Sequence, residues 1–335
     1  MSKNHFFVAI ILALICGNAG PTVMGQASTF GGNAQHTGIF SAPAQNLNLI
    51  RWQADIDQNN TGGLVHYGSP VVTPANTVLF PVKTATDGFR VLGYNGNTGF
   101  PKYTLTGDYI LPTHNWTPAY NLCLTSGAFG NRVYFAGAGG TIWHVDNIDS
   151  NSPGAFVREV FYTSLDIYVA NQTAFNNSIF INTPITADSN GTIYFGFRVQ
   201  GFAPEPMSTN QSGIARIDAN GNANYVLVGT AAGDPLIDWD SHNLAPALSI
   251  DESTVYFGVK ASSNINYSYL LGLNSTTLAT KYKVFLRDPR NGNGARVPDD
   301  GTSSPMVAPD GDVYFGVLEI PAMVPEVSCY ASAAI

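Results

Sequence analysis

The sequence predicts an all-β fold, a β-propeller of four-stranded antiparallel blades. Three observations predict it. A small residue followed by proline recurs five times, a β-rich run follows each recurrence, and no amphipathic helical period stands out beyond the N-terminal apolar run. Self-similarity of this kind marks a stack of equal supersecondary units that cover one another's apolar faces.

The anchors are Ser69-Pro70, Thr117-Pro118, Thr183-Pro184, Ala245-Pro246 and Ser304-Pro305. Proline suits the start of a strand, where its missing N–H is least costly. A short strand and a turn rich in Asn, Asp or Gly come next. The second strand then reads Thr77-Val78-Leu79-Phe80, Arg132-Val133-Tyr134-Phe135, Ile193-Tyr194-Phe195-Gly196, Val255-Tyr256-Phe257-Gly258 and Val313-Tyr314-Phe315-Gly316. A third strand ends in a polar turn, as in Val91 to Gly99 and Leu270 to Thr277, and a fourth alternates, as in Lys281-Tyr282-Lys283-Val284-Phe285. Four antiparallel strands make one blade. A β-sandwich would explain the alternation but not five similar units.

The anchors at 69, 117, 183, 245 and 304 are spaced by 48, 66, 62 and 59 residues. A compact blade needs roughly 40–45, so the repeats carry insertions, for which Val199 to Gln211 and Ala261 to Ser268 are the clearest places. The last repeat reads as incomplete, because Ser328 to Ile335 lacks the pattern; this admits an incomplete ring and a truncated end. The strand around Leu49 to Ala54 is expected to join the last blade.

Before the repeats, Lys3 precedes the apolar run Phe6 to Cys16, and Gly25-Gln26-Ala27 offers a small-x-small cleavage pattern. This is the layout of a secretory signal over residues 1–27, too short to span a membrane, leaving a single propeller domain over 28–335. Secretion to the periplasm or the exterior is the expected destination. Leu14-Ile15-Cys16 falls short of a lipid-attachment box, since Ile15 stands where a small residue belongs. With Cys16 removed, Cys123 and Cys329 permit at most one disulfide. The composition is 44% hydrophobic and 11% charged with a net charge of −8 and no Lys/Arg run, which argues for a packed core and against a nucleic-acid partner.

The segment Thr29-Phe30-Gly31-Gly32-Asn33-Ala34-Gln35-His36-Thr37-Gly38, followed by Leu47 to Trp52, resembles the opening of the pyrroloquinoline-quinone-like propeller family, and the repeat is similar to that family's repeats. The resemblance runs from Thr29 to about Leu318. It implies the propeller fold and admits pyrroloquinoline quinone and calcium at the channel. It does not transfer catalytic residues, because the adjacent-cysteine pair of the family's dehydrogenases is missing and their calcium and catalytic carboxylate motifs find no match.

One constellation goes beyond the fold. His66, His114 and His242 each stand three residues before their anchor. Equal offsets place them on one rim of the channel, near the axis, where imidazoles could ligate a metal. Asp238, Asp240, Asp299 and Asp300 occupy the same connections and would extend the rim toward cations or polar ligands. The plainer explanation is that short polar loops select His, Asn and Asp for local backbone bonding. Asp188-Ser189-Asn190-Gly191, Asp218-Ala219-Asn220-Gly221 and Asp310-Gly311-Asp312 lack the glutamate of a calcium loop and read as hairpin turns with a residue at positive φ. Trp52, Trp116, Trp143 and Trp239 are core aromatics that could also stack a planar ligand.

With no catalytic motif recognisable, the expected function is a non-catalytic binding or protein-interaction scaffold, taking a protein or small polar ligand at the channel rim. The alternatives are a quinone- and calcium-dependent alcohol or sugar oxidoreductase, and a glycan-active propeller using the rim carboxylates.

Overall fold

The structure, a computed structural model, describes residues 27–40, 48–56, 68–84, 88–111, 120–128, 130–297, 303–318 and 327–332, the last for their backbone. Each of the five repeats forms one antiparallel sheet from consecutive strands. Blade 1 consists of Val71–Val72, Thr77–Lys83, Phe89–Asn95 and Pro101–Thr106, and blade 2 of Cys123–Gly127, Gly130–Ala136, Ile142–Val145 and Phe156–Glu159. Blade 3 contains Ile193–Val199, Ser212–Ile217 and Ala223–Leu227, with Ile179–Ile181 and Thr186–Ala187 both on the inner side of Ile193–Val199. Blade 4 repeats that plan: Trp239–Asp240 and Ala247–Leu248 flank the inner side of Thr254–Lys260, and Ser268–Asn274 and Thr280–Phe285 follow. Blade 5 has Met306–Val307, Val313–Leu318 and Val327–Ser332. The arrangement is an all-β propeller.

In blades 3 and 4 the small-Pro anchor interrupts the innermost strand, since proline cannot donate to the ladder. The chain leaves the sheet at Asn182–Ile185 and at Ser241–Pro246 and then rejoins the same neighbour. These interruptions turn polar side chains into the space between blades.

The register explains the repeated Tyr-Phe-Gly. Tyr134, Tyr194, Tyr256 and Tyr314 pair with Cys123, Thr186, Ala247 and Met306, which are equivalent positions of the innermost strands. The Phe that follows packs toward the preceding blade. A Cβ on Gly196 would lie 2.7 Å from Phe257 Cζ, and one on Gly258 would lie 3.2 Å from Phe315 Cζ. Each glycine is therefore the floor on which the next blade's phenylalanine rests. Phe195, Phe257 and Phe315 are all buried, and the apolar core runs from blade to blade.

The expected insertions, Val199 to Gln211 and Ala261 to Ser268, join second to third strands in blades 3 and 4. Gly191, Gly221 and Gly311 have φ of 82°, 83° and 94°, as their turns require. Three short α-helices among the described residues were not expected: Leu165–Ala170, Gln172–Asn176 and Val228–Ala232. At five or six residues they are too short to show a period. The first is fixed locally, with the Ser164 hydroxyl capping Ile167 N–H, and Tyr168 and Phe175 are buried.

Two details of the chain's ends differ from expectation. Val327–Ser332, where no repeat pattern was read, is a third strand of blade 5, paired along Val313–Leu318, and blade 5 has three strands among the described residues. Backbone pairing needs no repeat signature, which is why the missing pattern misled. Leu49 to Ala54 does not lie in the last blade. Trp52 stacks near Tyr94 of blade 1, with ring centroids 6.3 Å apart, and its indole N–H donates to the Gly96 carbonyl at 2.8 Å, while Ala54 packs on the buried Val82, Leu92 and Tyr94. One aromatic with a satisfied N–H outweighs the β-propensity of its neighbours.

Candidate functional site

The innermost strand of any blade is a sheet edge whose outward N–H and C=O groups need partners. Here the segment Ala27 to His36 supplies them to all five blades in chain order. Val72 N–H donates to Ala27 O at 3.0 Å and Leu124 N–H to Ser28 O at 2.7 Å. The Thr29 hydroxyl donates to Ile185 O at 2.6 Å. After a turn, Leu248 N–H donates to Ala34 O at 2.8 Å and Val307 N–H to Gln35 O at 2.9 Å. Val72, Leu124, Leu248 and Val307 are equivalent, each facing a valine of the second strand: Val78, Val133, Val255 and Val313. The five blades are thus tied along their inner edges by the chain's own N-terminal segment.

The turn inside this axial segment explains its glycine. Gly31 has φ of 65°, and a Cβ there would lie 2.8 Å from His36 Cα. His36 sits in the same knot, its ring 5.2 Å from Phe30. Its Nδ1 lies 2.7 Å from Pro305 O, a pure acceptor, so Nδ1 carries the proton and Nε2, 3.4 Å from the Thr186 hydroxyl, is the acceptor. Burial pushes the His36 pKa from 6.5 down to about 4. Between those values the unfolded chain binds a proton that the folded chain refuses, so stability falls as pH falls. A loss of about 2 kcal/mol is expected from this residue between pH 7 and pH 5. Urea titrations at the two pH values check it: His36→Asn, which tolerates positive φ and keeps a donor, should show a correspondingly smaller loss.

The rim residues foreseen from sequence fall into two groups. His66, His114, Asp299 and Asp300, like Trp116, lie outside the described residues. His242 and Asp240 are not open-rim side chains: both have 0% exposure. They sit between blades 3 and 4, where the interrupted innermost strands face each other. Asn182 Nδ2 donates to Asp240 Oδ1 at 2.7 Å, which turns Asn182 Oδ1 toward His242 Nδ1, 2.5 Å away. The Arg198 guanidinium donates to the Asp240 carbonyl at 3.1 Å, stands 3.5 Å from its carboxylate and lies 4.3 Å from the Trp239 ring centroid. Lys260 is buried beside it, 5.8 Å from the same ring. A carboxylate can be buried here because the Arg198 guanidinium and the Asn182 amide accompany it. Asn182 was missed in the sequence; its position two residues before a Pro anchor, opposite His242 in the next repeat, was the available signal. Asp238 is half-buried and accepts from Ser262 N–H at 2.7 Å, which ties down the insertion after Lys260.

At the opposite ends of the innermost strands, where hairpins lead to the second strands, a cavity of about 400 Å³ opens beside the axial segment. Ser28 and Gly32 to Gln35 form one wall, and the turns of blades 2 and 3 form another. Glu252, at φ of 56°, reaches across from blade 4: its carboxylate accepts from Ser189 N–H at 3.0 Å and from the Ser189 hydroxyl at 2.5 Å. Asp188 accepts from Asn190 and Thr192 N–H at 2.9 and 2.8 Å and from the Tyr194 hydroxyl at 3.1 Å. A second cavity of about 450 Å³ adjoins the Ser69-Pro70 anchor of blade 1, between Ala27, Thr29 and Gly31 on one side and Val72 on the other.

No group of three or more His, Cys, Asp or Glu side chains among the described residues could hold a metal ion. The Asp240 carboxylate is engaged internally, by Asn182 and Arg198. Cys123 is a buried free thiol whose pKa is pushed up to about 12 by burial. No described helix is long and apolar enough to cross a membrane.

No protein-family model matches the chain, and no curated protein matches it either. Solved structures with some similarity in shape include the Dos1 propeller, at 8% identity over 75% of this chain and 53% of that one, with a TM-score of 0.43. The quinohemoprotein alcohol dehydrogenase of Comamonas testosteroni is 12% identical over 95% of this chain and 50% of that one, with a TM-score of 0.48. A europium-containing methanol dehydrogenase is 10% identical over 75% and 64%, with a TM-score of 0.33. The chain spans between half and two thirds of the length of these structures. At such scores the propeller assignment rests on the five sheets and the axial segment, and no chemistry transfers.

Proposed function

We propose that this chain is an exported, non-catalytic binding scaffold, a propeller that presents a rim to a protein or a small polar ligand. The observation that carries this reading is the axial segment. It runs along the innermost strands, on the side where the quinone-dependent alternative would need its cofactor, and it takes inner-strand donors from four of the five blades. The rim polar groups that are described serve the fold: Asp240, His242 and Asn182 bond one another, and Asp238 holds a loop. Export is supported by the arrangement of Lys3, the run Phe6 to Cys16 and Gly25-Gln26-Ala27.

The test is an assay of the purified protein with added pyrroloquinoline quinone and calcium, following dye-linked oxidation of alcohols and sugars. No rate above the protein-free control is expected. A cofactor-dependent rate would overturn the scaffold reading in favour of the oxidoreductase.

A further inference from the structure

We infer that the face of blades 2, 3 and 4 formed by their long connections docks a cationic protein segment, one whose apolar side chains are interleaved with Lys or Arg. This rests on the scaffold reading and names its face and its partner. Antiparallel order puts each second-to-third connection of a blade on the same face as the connections between blades. Residues 200–211 and 261–267 are the former in blades 3 and 4, and residues 160–178 and 228–238 are the latter. Hydrogen bonds join all four side by side. Gln200 N–H donates to Ser178 O at 2.8 Å and Ser212 N–H to Asp238 O at 2.9 Å. Ser262 N–H donates to the Asp238 carboxylate at 2.7 Å, and the Tyr267 hydroxyl to the Asp234 carboxylate at 2.8 Å. The blade 3 connection is also anchored from beneath, because Ala203 and Met207 are fully buried. A surface fixed in this way loses little conformational freedom when a partner binds.

The same segments expose apolar side chains: Leu165, Ile167, Val169, Phe202, Leu236 and Ile265, with Phe202 at 84%. None of them belongs to the core that runs from blade to blade. Single apolar residues are ordinary on a protein surface, but several on adjoining segments mark an interaction site.

Charge selects the partner. The four segments contain four charged residues, Asp166, Glu205, Asp234 and Asp238, and all are acidic. Of the neighbouring cations, Arg198 and Lys260 are buried, and Lys283 is held at the border, donating to the Ala232 carbonyl at 2.7 Å. Asp166 and Glu205 are exposed. An anionic membrane would be repelled by them. A second copy of the chain, with its own net charge of −8, would bring the same acids to the same patch. A basic segment meets opposite charge around an apolar centre, which is how a specific interface is built.

Fluorescence anisotropy with the purified full chain tests this. The probe is a labelled peptide of about 14 residues with Leu and Lys in helical spacing, and its comparators carry Glu for every Lys or Ser for every Leu. The Leu/Lys peptide is expected to bind about tenfold more tightly than either comparator. Phe202→Ser should weaken it about tenfold, as truncation of an aromatic anchor does, and leave the melting temperature unchanged because the ring is exposed. Asp166→Asn combined with Glu205→Gln should weaken it about threefold at low salt and not at high salt, where exposed charges are screened. No binding of the Leu/Lys peptide, equal binding of either comparator, or unchanged affinity in the folded Phe202→Ser protein would each overturn the inference. So would binding to vesicles of phosphatidylcholine and phosphatidylglycerol, or a dimer that Phe202→Ser dissolves, since each names another occupant. Failure here with no quinone-dependent oxidation leaves the scaffold reading standing, whereas oxidation overturns that reading whatever the peptides do.

Discussion

Asp240→Ala is expected to destabilise the protein by about 3–5 kcal/mol, the cost of leaving a buried cation without its anion. Arg198 is 2% exposed, so it cannot turn to water when the carboxylate is removed. Asn182 also loses its acceptor, and with it the orientation that serves His242. Asp240→Asn keeps an acceptor oxygen and the shape, and should cost less than Asp240→Ala. Urea unfolding followed by tyrosine and tryptophan fluorescence measures both. An Asp240→Ala protein within about 0.5 kcal/mol of the parent, the usual range for surface changes, would show that this residue is a rim side chain after all.

Gly196→Val is expected to cost about 3 kcal/mol or more, at the upper end for overpacking a core. The first added carbon alone would stand 2.5 Å from Asp240 Oδ2, 2.6 Å from Thr183 Cγ2 and 2.7 Å from Phe257 Cζ. Those atoms belong to three segments and are all buried, so no single side chain can swing aside. Gly258→Val meets Leu244 Cδ1 at 2.6 Å but Phe315 only at 3.2 Å, and leucine can change rotamer. The order Gly196 before Gly258 in lost stability follows, and thermal melts of the two variants check it. Equal and small losses would mean that the blades do not stack phenylalanine upon glycine.

The second strands were the most legible part of the fold. Their Val-Tyr-Phe-Gly runs recur because each blade solves the same packing problem, so the four tyrosines reached equivalent registers and the turn glycines reached positive φ. The two-residue innermost strands were less legible, because their partners lie at the axis. Thr29 to Gly38 could be recognised only by resemblance. Nothing local shows that Ala34 accepts from Leu248 or Gln35 from Val307, residues more than 200 positions away. Histidine spacing suggested a common structural position, of which only His242 lies among the described residues, and it could not say whether that position is wet. His242 is dry because Asn182, sixty residues earlier, closes over it. The cavity hairpins were read as turns, which they are; that Glu252 reaches across to Ser189 is a tertiary fact with no sequence period.

Residue-resolved hydrogen exchange tests the tie made by the axial segment most directly. Val72, Leu124, Leu248 and Val307 donate to four carbonyls of Ala27 to Gln35. Their amides should exchange only through global unfolding, as slowly as the core amides of Phe195 and Phe257. Fast, locally governed exchange at these four amides, with the second strands still protected, would contradict blades tied along their inner edges by the chain's own N-terminal segment.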